Sequence, residues 1–215
     1  LTSLLSKLTN AYYRFGTTGT LDNSKIHKLV IEGLFGPTIK VVTTKELIDK
    51  NILANLNINC MVLGYDDESK KEVKRVTYQE EIDWIVRNQS RNKFISDLSQ
   101  KLKGNTLVLF NFVEKHGKQL YEMSKDGDKE VYFIHGKTDV EDRESIRKYL
   151  DSTEDCILIA SYGTCSTGIN IKNIHNIIFA SPSKSVIRVL QSIGRGLRIS
   201  ESKDKAIVYD ISDDL

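Results

Sequence analysis

From residue 106 onward, short runs of aliphatic residues alternate with segments whose apolar positions recur every three or four residues. The aliphatic runs are typical of strands buried on both faces, and the periodic segments are typical of amphipathic helices. The predicted strands are 106–112, 131–135, 156–162, 176–181 and 206–211. The elements predicted between them are helices at 113–124, 140–150 and 185–198 and a turn at 163–168. This order predicts a three-layer α/β fold with a mainly parallel sheet covered by helices on both sides.

The chain before residue 36 gives a less complete pattern. Residues 1–10 resemble the end of a helix, 12–16 a short aromatic strand and 25–35 a helix. One strand and two helices cannot bury a core alone, so this part is expected to complete a sheet whose other strands are missing, or to pack against the residues after it. Gly36 and Pro37 break the pattern and indicate a boundary.

Between this boundary and residue 106, the pattern is mixed. The predicted elements are strands at 38–43 and 58–65 and a charged surface turn at 66–75. Thr43 with Glu46, and Thr77 with Glu80, have the spacing of a capping box at the start of a helix. Ser90 is the predicted N-cap of a third helix in this region.

Composition narrows the class of protein. The 215 residues are 40% hydrophobic and 28% charged, which is ordinary for a soluble globular protein. The formal net charge of +2 does not indicate nucleic-acid binding, so any such binding has to come from a local arrangement. Three cysteines without a C-x-x-C pair indicate free thiols. No apolar run is long enough to span a membrane, and a chain that begins with Leu1 is expected to be a piece of a longer protein.

The predicted helix 185–198 has two opposed faces. The apolar face has Val186, Leu190, Ile193 and Leu197, and the polar face has Arg188, Gln191, Arg195 and Arg198. Arg195 and Arg198 stand about one turn apart, and two guanidinium groups suit a phosphate that carries more than one charge. Gly194 and Gly196 remove side-chain bulk beside them, so a ligand or a facing domain can come close. On this pattern alone, a surface helix with solvated arginines is the alternative.

Polar residues follow the apolar part of each predicted strand. These strand-end residues are Asn111, His135, Gly136, Lys137, Ser161, Thr164, Ser181, Ser183 and Asp210. In open α/β sheets, ligands bind beyond the carboxyl ends of the strands. Backbone N–H groups at such turns bind phosphates without reading a base. The pattern therefore predicts a phosphate-binding edge.

A complete nucleotide site is not encoded in these residues. Gly136, Lys137 and Thr138 look like the end of a Walker loop, but the first glycine of that motif would have to stand where the chain has Val131. No acidic box for magnesium appears either. We expect this chain alone to be inactive as an ATPase.

Four strings of the sequence resemble motifs of the superfamily-two helicases, in the order in which those motifs occur. T-G-T at 18–20 resembles motif III, L-V-L-F-N at 107–111 motif IV, S-Y-G-T-C-S-T-G-I-N at 161–170 motif V and Q-S-I-G-R-G-L-R at 191–198 motif VI. The resemblance covers essentially the whole chain and is most specific in motifs V and VI. It implies a second RecA-like helicase domain at 37–215, preceded at 1–36 by the end of a first RecA-like domain and a linker.

The resemblance implies a role for each matching residue. Catalytic roles go to Arg195 and Arg198 at the γ-phosphate of ATP and to Gln191, near the nucleotide or the motif III turn. Coupling goes to Thr18, Gly19 and Thr20, nucleotide binding to Gly168 and Asn170, and DNA binding to Asn111, His135, Gly136, Ser161 and Thr164. Many relatives have Asp at the position of Asn170, which puts its ribose contact in doubt. The segment from Ser161 to Gly168 is one residue longer than the commonest pattern, which leaves open which hydroxyl contacts DNA.

For the whole protein, the resemblance implies an ATP-dependent DNA helicase that acts on forks, Holliday junctions and displacement or R-loops in recombination, repair and replication restart. It is most similar to the recombination and repair helicases of T-even phages. The expected cofactors are ATP and Mg²⁺, with the Walker lysine and metal ligands in a missing N-terminal RecA-like domain. The expected partner is single-stranded and branched DNA, and the expected state is a cytoplasmic monomer, in the host cell if the protein is phage-encoded.

Other functions and roles stay open at this point. A double-strand DNA translocase of the restriction or remodelling type, or a non-catalytic nucleic-acid-binding adaptor, would have the same fold. His135 is equally well explained as an ordinary strand-end histidine. Trp84 is better explained by packing than by base stacking, and Cys165 by packing than by nucleophilic chemistry.

Overall fold

The computed structural model describes residues 2–5, 7–8, 10–18, 25–168, 171, 173–182 and 205–215. In chain order, the elements are α1 (Thr2–Leu5), α2 (Lys25–Phe35), α3 (Thr44–Asp49), β1 (Asn55–Gly64), α4 (Asp67–Val73), α5 (Tyr78–Arg87), α6 (Gln89–Lys101), β2 (Thr106–Phe110), a π-helical turn (Val113–Gly117), α7 (Lys118–Ser124), β3 (Val131–Ile134), α8 (Val140–Ser152), β4 (Ile157–Ser161), α9 (Tyr162–Gly168), β5 (Asn176–Phe179) and β6 (Lys205–Asp214).

The strands of the described part form one parallel sheet in the order β1-β6-β5-β2-β4-β3. Strand β2 lies inside the sheet, where Leu109 pairs with Phe179 of β5 on one side and with Ala160 of β4 on the other. Helices connect most of the strands that follow one another in the chain, as parallel pairing requires. The predicted α/β fold with a mainly parallel sheet is confirmed.

The core lies on both faces of this sheet. Leu107 and Leu109 belong to one buried cluster, to which α8 and α9 contribute, and Val108 and Phe110 belong to the other, to which α6 and α7 contribute. Every residue of β2 is buried, because successive side chains point to opposite faces and both faces are covered.

The predicted helix signals are largely found in place. Helix α2 has the predicted bounds, and Gly36 follows it with a φ of 87° while its N–H donates to the Glu32 carbonyl. Only glycine adopts that conformation without strain, which explains the break predicted there. Both capping boxes form: the backbone N–H of Thr43 donates to Glu46 at 2.7 Å, and that of Thr77 donates to Glu80 at 2.8 Å.

Two predicted strands are wrong. Residues 12–16 and 38–43 have no strand structure, and their side chains lie largely in solvent, with Tyr12 94% and Val41 90% exposed. Apolar alternation makes a strand only where a neighbouring strand supplies the hydrogen-bond ladder, and here the structure places none beside these described residues.

Two predicted turns are helices. Residues 67–73 form α4, which Asp66 caps by accepting the Ser69 N–H at 2.7 Å, with acidic residues in its first turn and lysines in its last. That charge order complements the helix dipole. Residues 162–168 form α9, where the Thr164 N–H donates to the Ser161 hydroxyl at 3.3 Å. In both cases a side-chain cap, overlooked in the pattern, starts the helix.

Three boundaries also differ from prediction. Helix α6 begins after Asn88, whose side chain accepts the Arg91 N–H at 2.9 Å, so Asn88 and not Ser90 is its N-cap. The predicted helix 113–124 is divided into the π-helical turn and α7. Strand β6 continues to Asp214, so Asp210 lies within the strand and not at its end. The predicted helix 185–198 lies outside the described residues.

Candidate functional site

Four neighbouring strands of the sheet end in polar residues along one edge. Ser181 follows β5, Asn111 follows β2, Ser161 ends β4 and His135 follows β3, and these strands lie side by side in that order. Because the strands are parallel, their carboxyl ends share the same edge. The structure therefore places Asn111, His135 and Ser161, three of the predicted DNA-binding residues, along the same edge.

The two candidate hydroxyls of motif V differ in accessibility. Ser161 is half-buried, whereas Thr164 is buried with 4% of its surface exposed. Their oxygens are 2.8 Å apart and share a hydrogen bond. Because Thr164 is enclosed, Ser161 is the more accessible of the two at the sheet edge.

His135 and Gly136 form an open corner next to this pair. The Lys137 N–H donates to Nδ1 of His135 at 3.2 Å, and the ring of His135 lies 5.3 Å from that of Phe133. Gly136 is exposed, and a Cβ placed on it would meet no atom within 4 Å. The Gly136 carbonyl accepts a hydrogen bond from Arg143 at 3.0 Å. The corner is thus held by hydrogen bonds to its backbone while its outer side stays open to a ligand.

Both basic and acidic side chains lie near this corner. Lys118 hydrogen-bonds Glu114 and lowers the pKa of that carboxyl, and the charges of Lys137 and His135 lower it further. Lys118 is the first residue of α7, and Lys137 lies in the turn after β3. The exposed Lys137 side chain beside the exposed backbone of Gly136 is a suitable surface for a phosphodiester chain.

Asn111 is held in place from two sides. Its backbone N–H donates to the Ser181 hydroxyl at 3.0 Å, and its side-chain amide donates to the Pro182 carbonyl at 3.1 Å. The side chain is half-buried. Asn111 therefore ties the end of β2 to the chain leaving β5, in addition to standing at the candidate edge.

A buried histidine that the sequence analysis overlooked lies beneath this edge. Nδ1 of His116 is 2.8 Å from the Ser181 hydroxyl, and Nε2 is 3.0 Å from Oδ1 of Asn92. The Asn92 amide donates to the carbonyl of Val86 and to Gln119. Burial, and to a lesser extent the charge of Arg91, lowers the pKa of His116 to about 3. The ring is therefore neutral at ordinary pH.

A buried ion pair, also overlooked, lies next to that network. Nε of Arg91 donates to Asp213 at 2.8 Å, and its terminal nitrogens donate to the carbonyls of Ala180 and Ile211. The Tyr65 hydroxyl donates to the same oxygen of Asp213 at 2.6 Å, and burial together with this bond raises the pKa of Tyr65. Arg91 thus joins the start of α6 to the ends of β5 and β6.

Arg91 and Asn92, the members of these two networks that lie on α6, left only a partial signal in the sequence. Arg91 and Asn92 stand four and three residues before the inward-facing Ile95, so the helical period places both on the buried side of α6. A charged residue on an apolar stripe indicates a buried partner. The partner itself, 122 residues away in Asp213, is not visible in a local pattern.

The other predicted site residues are not among the strand ends of this row. Gln191, Arg195, Arg198, Gly19, Thr20 and Asn170 lie outside the described residues. Thr18 is exposed, and Gly168 is the last residue of α9. Among the described residues, no group of three or more His, Cys, Asp or Glu side chains is arranged to hold a metal ion. In the same part of the chain, no helix is both long and apolar enough to cross a membrane.

Trp84 and Cys165 both occupy packing positions. Trp84 is half-buried, lies 5.2 Å from Tyr65 in an edge contact and donates to Glu72 of α4 at 3.2 Å. Cys165 is buried in the core cluster under α9. Neither lies at the row of strand ends.

Sequence comparison relates the chain to helicases. The ATP-dependent DNA helicase UvsW of Enterobacteria phage T4 is 38% identical over 216 aligned residues, which cover 99% of this chain and 43% of UvsW. IRC3, a predicted ATP-dependent helicase of Saccharomyces cerevisiae, is 29% identical over 48% of this chain and 15% of its own length. The chain thus spans less than half the length of these relatives.

Solved structures give the same picture. The crystal structure of T4 UvsW superposes with a TM-score of 0.67 at 39% identity, over 88% of this chain and 36% of UvsW. The type ISP restriction-modification enzyme LlaBIII bound to DNA superposes with a TM-score of 0.56 at 16% identity, over 82% of this chain and 13% of that enzyme, which is a likeness of fold.

A family model for the helicase conserved C-terminal domain matches residues 89–200, just over half of the chain. The matched region begins at α6 and includes β2, β3, β4 and β5, whose ends form the row of polar residues. The resemblance to superfamily-two helicases that the motifs indicated is confirmed. The chain belongs to the helicase conserved C-terminal domain family.

Proposed function

We propose that this chain is the second motor domain of an ATP-dependent DNA helicase that acts on branched DNA in recombination, repair and replication restart. The observation that carries the proposal is the row of polar ends on four neighbouring parallel strands, in a chain of this family. The substrates we propose are forks, Holliday junctions and displacement or R-loops. We also propose that the protein works as a monomer in the cytoplasm, in the host cell if it is phage-encoded.

The DNA-binding surface consists of Asn111, His135, Gly136, Ser161 and Thr164. Ser161 and Gly136 contact the phosphodiester backbone directly, since both are accessible at the edge. Thr164 acts through the hydroxyl of Ser161, with which it shares a hydrogen bond. Backbone N–H groups and hydroxyls position a strand without reading its sequence, which suits an enzyme that moves along DNA.

The ATP-binding surface consists of Arg195 and Arg198 at the γ-phosphate, of Gln191 near the nucleotide or the motif III turn, and of Gly168 and Asn170 near the nucleotide. Phosphoryl transfer needs charge placed around the γ-phosphate more than covalent help, and an arginine finger contributes roughly 10³ to 10⁵ in rate. On the resemblance to superfamily-two helicases, we assign the Mg²⁺ ligands and the Walker lysine to a preceding domain. Hydrolysis then depends on closure of the cleft between two domains.

Residues 1–36 are proposed to be the end of that preceding domain and a linker, with Thr18, Gly19 and Thr20 as the coupling turn. Tyr12, Tyr13 and Phe15 are each more than four-fifths exposed. Three large aromatic side chains so close in the chain are rarely all exposed to solvent. Their exposure is explained if strands of the preceding domain cover them. Residues 37–215 then form the second domain.

The test is Arg198→Ala in the full-length protein that contains this chain. Loss of one arginine finger is expected to lower DNA-stimulated ATP hydrolysis by about 10³-fold, with DNA affinity changed less than about threefold. Arg87→Ala, which removes an exposed arginine at the end of α5, is the control and is expected to leave both unchanged. The isolated 215-residue chain is expected to hydrolyse no ATP.

The results separate the competing functions. An Arg198→Ala protein that hydrolyses ATP at the normal rate would favour the non-catalytic adaptor. Hydrolysis and movement along duplex DNA without separation of the strands of a fork would favour a double-strand translocase. Appreciable turnover by the isolated chain would refute the division of the active site between two domains.

A further inference from the structure

The proton positions around His116 are set by its neighbours. The Asn92 amide nitrogen donates to the Val86 carbonyl, so Oδ1 of Asn92 faces His116 as an acceptor. Nε2 of His116 must then carry the proton, and the unprotonated Nδ1 accepts from the Ser181 hydroxyl. The same hydroxyl oxygen accepts the backbone N–H of Asn111. The bonds run in one direction, from Asn111 through Ser181 and His116 to Asn92.

The element that carries His116 is constrained. Its turn is π-helical, a form that is rare in proteins overall but is often found at functional sites. Gly117 is packed against Phe110, the last residue of β2, so closely that a Cβ there would lie 2.5 Å from the ring. This close contact fixes the backbone of the turn against the end of β2, and His116, the residue before Gly117, is fully buried there.

Ser181, the residue that His116 holds, lies directly before the part of the chain that the proposed function places at ATP. Ser181 and Pro182 are the last described residues before 183–204, the part of the chain that carries Arg195 and Arg198. Arg91 fixes the preceding carbonyl, that of Ala180, at 2.6 Å. The place where the chain leaves β5 is thus held by Arg91, His116 and Asn111 together.

We propose that His116 is a positioning residue that couples DNA binding to ATP hydrolysis. It orients the Ser181 hydroxyl so that the hydroxyl oxygen receives the Asn111 N–H, which joins a DNA-contacting strand end to the start of the arginine-bearing segment. The proposal rests on the proposed function. It assigns the coupling to one acceptor atom, Nδ1 of His116, and not to the presence of a buried polar side chain in general.

Two substitutions separate that atom from the rest of the ring. In His116→Asn the amide lies near the position of Nδ1, so its oxygen can accept from Ser181 while the bond to Asn92 is lost. In His116→Gln the amide lies near the position of Nε2, so the bond to Asn92 can be kept while Ser181 loses its acceptor. Each variant loses one of the two bonds of the ring, which makes their structural damage comparable.

The experiment measures ATP hydrolysis by the full-length protein with and without forked DNA. For His116→Gln, the stimulation by DNA is expected to fall about tenfold, the rate equivalent of one well-placed hydrogen bond. His116→Asn is expected to keep stimulation within about threefold of wild type, and both are expected to keep the DNA Kd and the KM for ATP within about twofold. Ser124→Ala, which removes a buried hydroxyl bonded to Ser96 between α6 and α7, is the matched control with normal stimulation.

Each other outcome counts against the proposal. Equal losses in the two variants would reduce His116 to a structural residue, and normal stimulation in both would exclude any role. If a His116 variant fails to fold, Ser181→Ala removes the hydroxyl alone and has to reproduce the tenfold loss. A wild-type protein without DNA-stimulated hydrolysis would overturn the proposed function itself. That failure is distinguishable from failure of the coupling proposal, because it is seen in the wild-type protein before any variant is compared.

Discussion

At the scale of single residues, the main electrostatic feature is a histidine that stays neutral. His116 is buried, and both ring nitrogens have partners that suit the uncharged form. Adding a proton would place a second positive charge near Arg91, away from water. Both effects lower its pKa, from 6.5 to about 3.

This shift predicts how stability depends on pH. Because the folded pKa lies below that of the unfolded chain, the unfolded chain binds this proton first as the pH falls. The contribution of His116 to the free energy of unfolding is therefore complete above the unfolded pKa and is lost below it, by about 2 kcal/mol between about pH 7.5 and pH 5. Urea unfolding of wild type and of His116→Asn measures it, since the variant lacks this group.

The two proteins are expected to differ in how steeply the free energy of unfolding depends on pH. His116→Asn is less stable near neutral pH, but its stability should fall less steeply toward pH 5. Parallel curves for the two proteins would mean that His116 is protonated in the folded state as easily as in the unfolded one, contrary to its surroundings.

Residues of this kind mark the limit of what the sequence could predict about the candidate site. Asn111, His135 and Ser161 were predicted because each follows a recognisable strand, and their shared edge follows from parallel pairing. His116 and Arg91 were not predicted as members of the site, because their partners Ser181 and Asp213 are distant in the chain. Local periodicity indicates which side of a helix is buried but not which polar group lies opposite.

At the scale of elements, the start of α6 controls where Arg91 is placed. The side chain of Asn88 accepts the N–H of Arg91 itself, so the N-cap and the buried guanidinium belong to the same residue pair. The sequence pattern predicts Ser90 as the N-cap, whereas the structure assigns that role to Asn88, two residues earlier. Ser90 is exposed within the first turn of the helix.

The two candidates provide a matched test. Asn88→Ala is expected to lower the free energy of unfolding by about 1 kcal/mol, because the Arg91 N–H loses its acceptor at the helix start. Ser90→Ala should change it by less than about 0.5 kcal/mol, since it is an exposed substitution without a cap bond. Thermal or urea unfolding of both variants measures the difference, and a larger loss for Ser90→Ala would return the cap to Ser90.

The mistaken elements have a common physical cause. Residues 66–75 and 163–168 looked like turns because they are short and polar, yet Asp66 and Ser161 each supply a bond that starts a helix. Residues 38–43 looked like a strand because valine and threonine favour strands, yet a strand is stable only within a sheet. Propensity is local, whereas strand pairing is a property of the assembled chain.

At the scale of the whole molecule, the fold class was predictable and the strand order was not. Continuous aliphatic strands that alternate with helices leave few options besides a parallel sheet with two covered faces. The order of the strands depends on contacts between distant segments, such as Asn55 of β1 with Lys205 of β6. The sequence pattern does not say that β1 and β6 lie side by side.

The buried ion pair between Arg91 and Asp213 lies at this long-range closure. Tyr65 follows β1, Asp213 lies in β6 and the Ala180 carbonyl follows β5, so one guanidinium with one carboxylate links three adjacent strands to α6. Both side chains are almost fully buried, at 0% and 4% exposure. A charge left alone in such a place is far more costly than a broken surface pair.

Asp213→Asn tests the importance of that charge with little change in shape. The variant keeps an oxygen that can accept from Tyr65 and Arg91, but it leaves the guanidinium without a counter-ion, so the free energy of unfolding is expected to fall by about 3 kcal/mol. Asp214→Asn, the same substitution one residue on, breaks an exposed pair with Lys70 and should cost less than about 1 kcal/mol. Urea unfolding gives both values under the same conditions. Similar small losses for the two would mean that hydrogen bonds to the carbonyls of Ala180 and Ile211 satisfy Arg91, and that the closure of the sheet does not depend on the carboxylate.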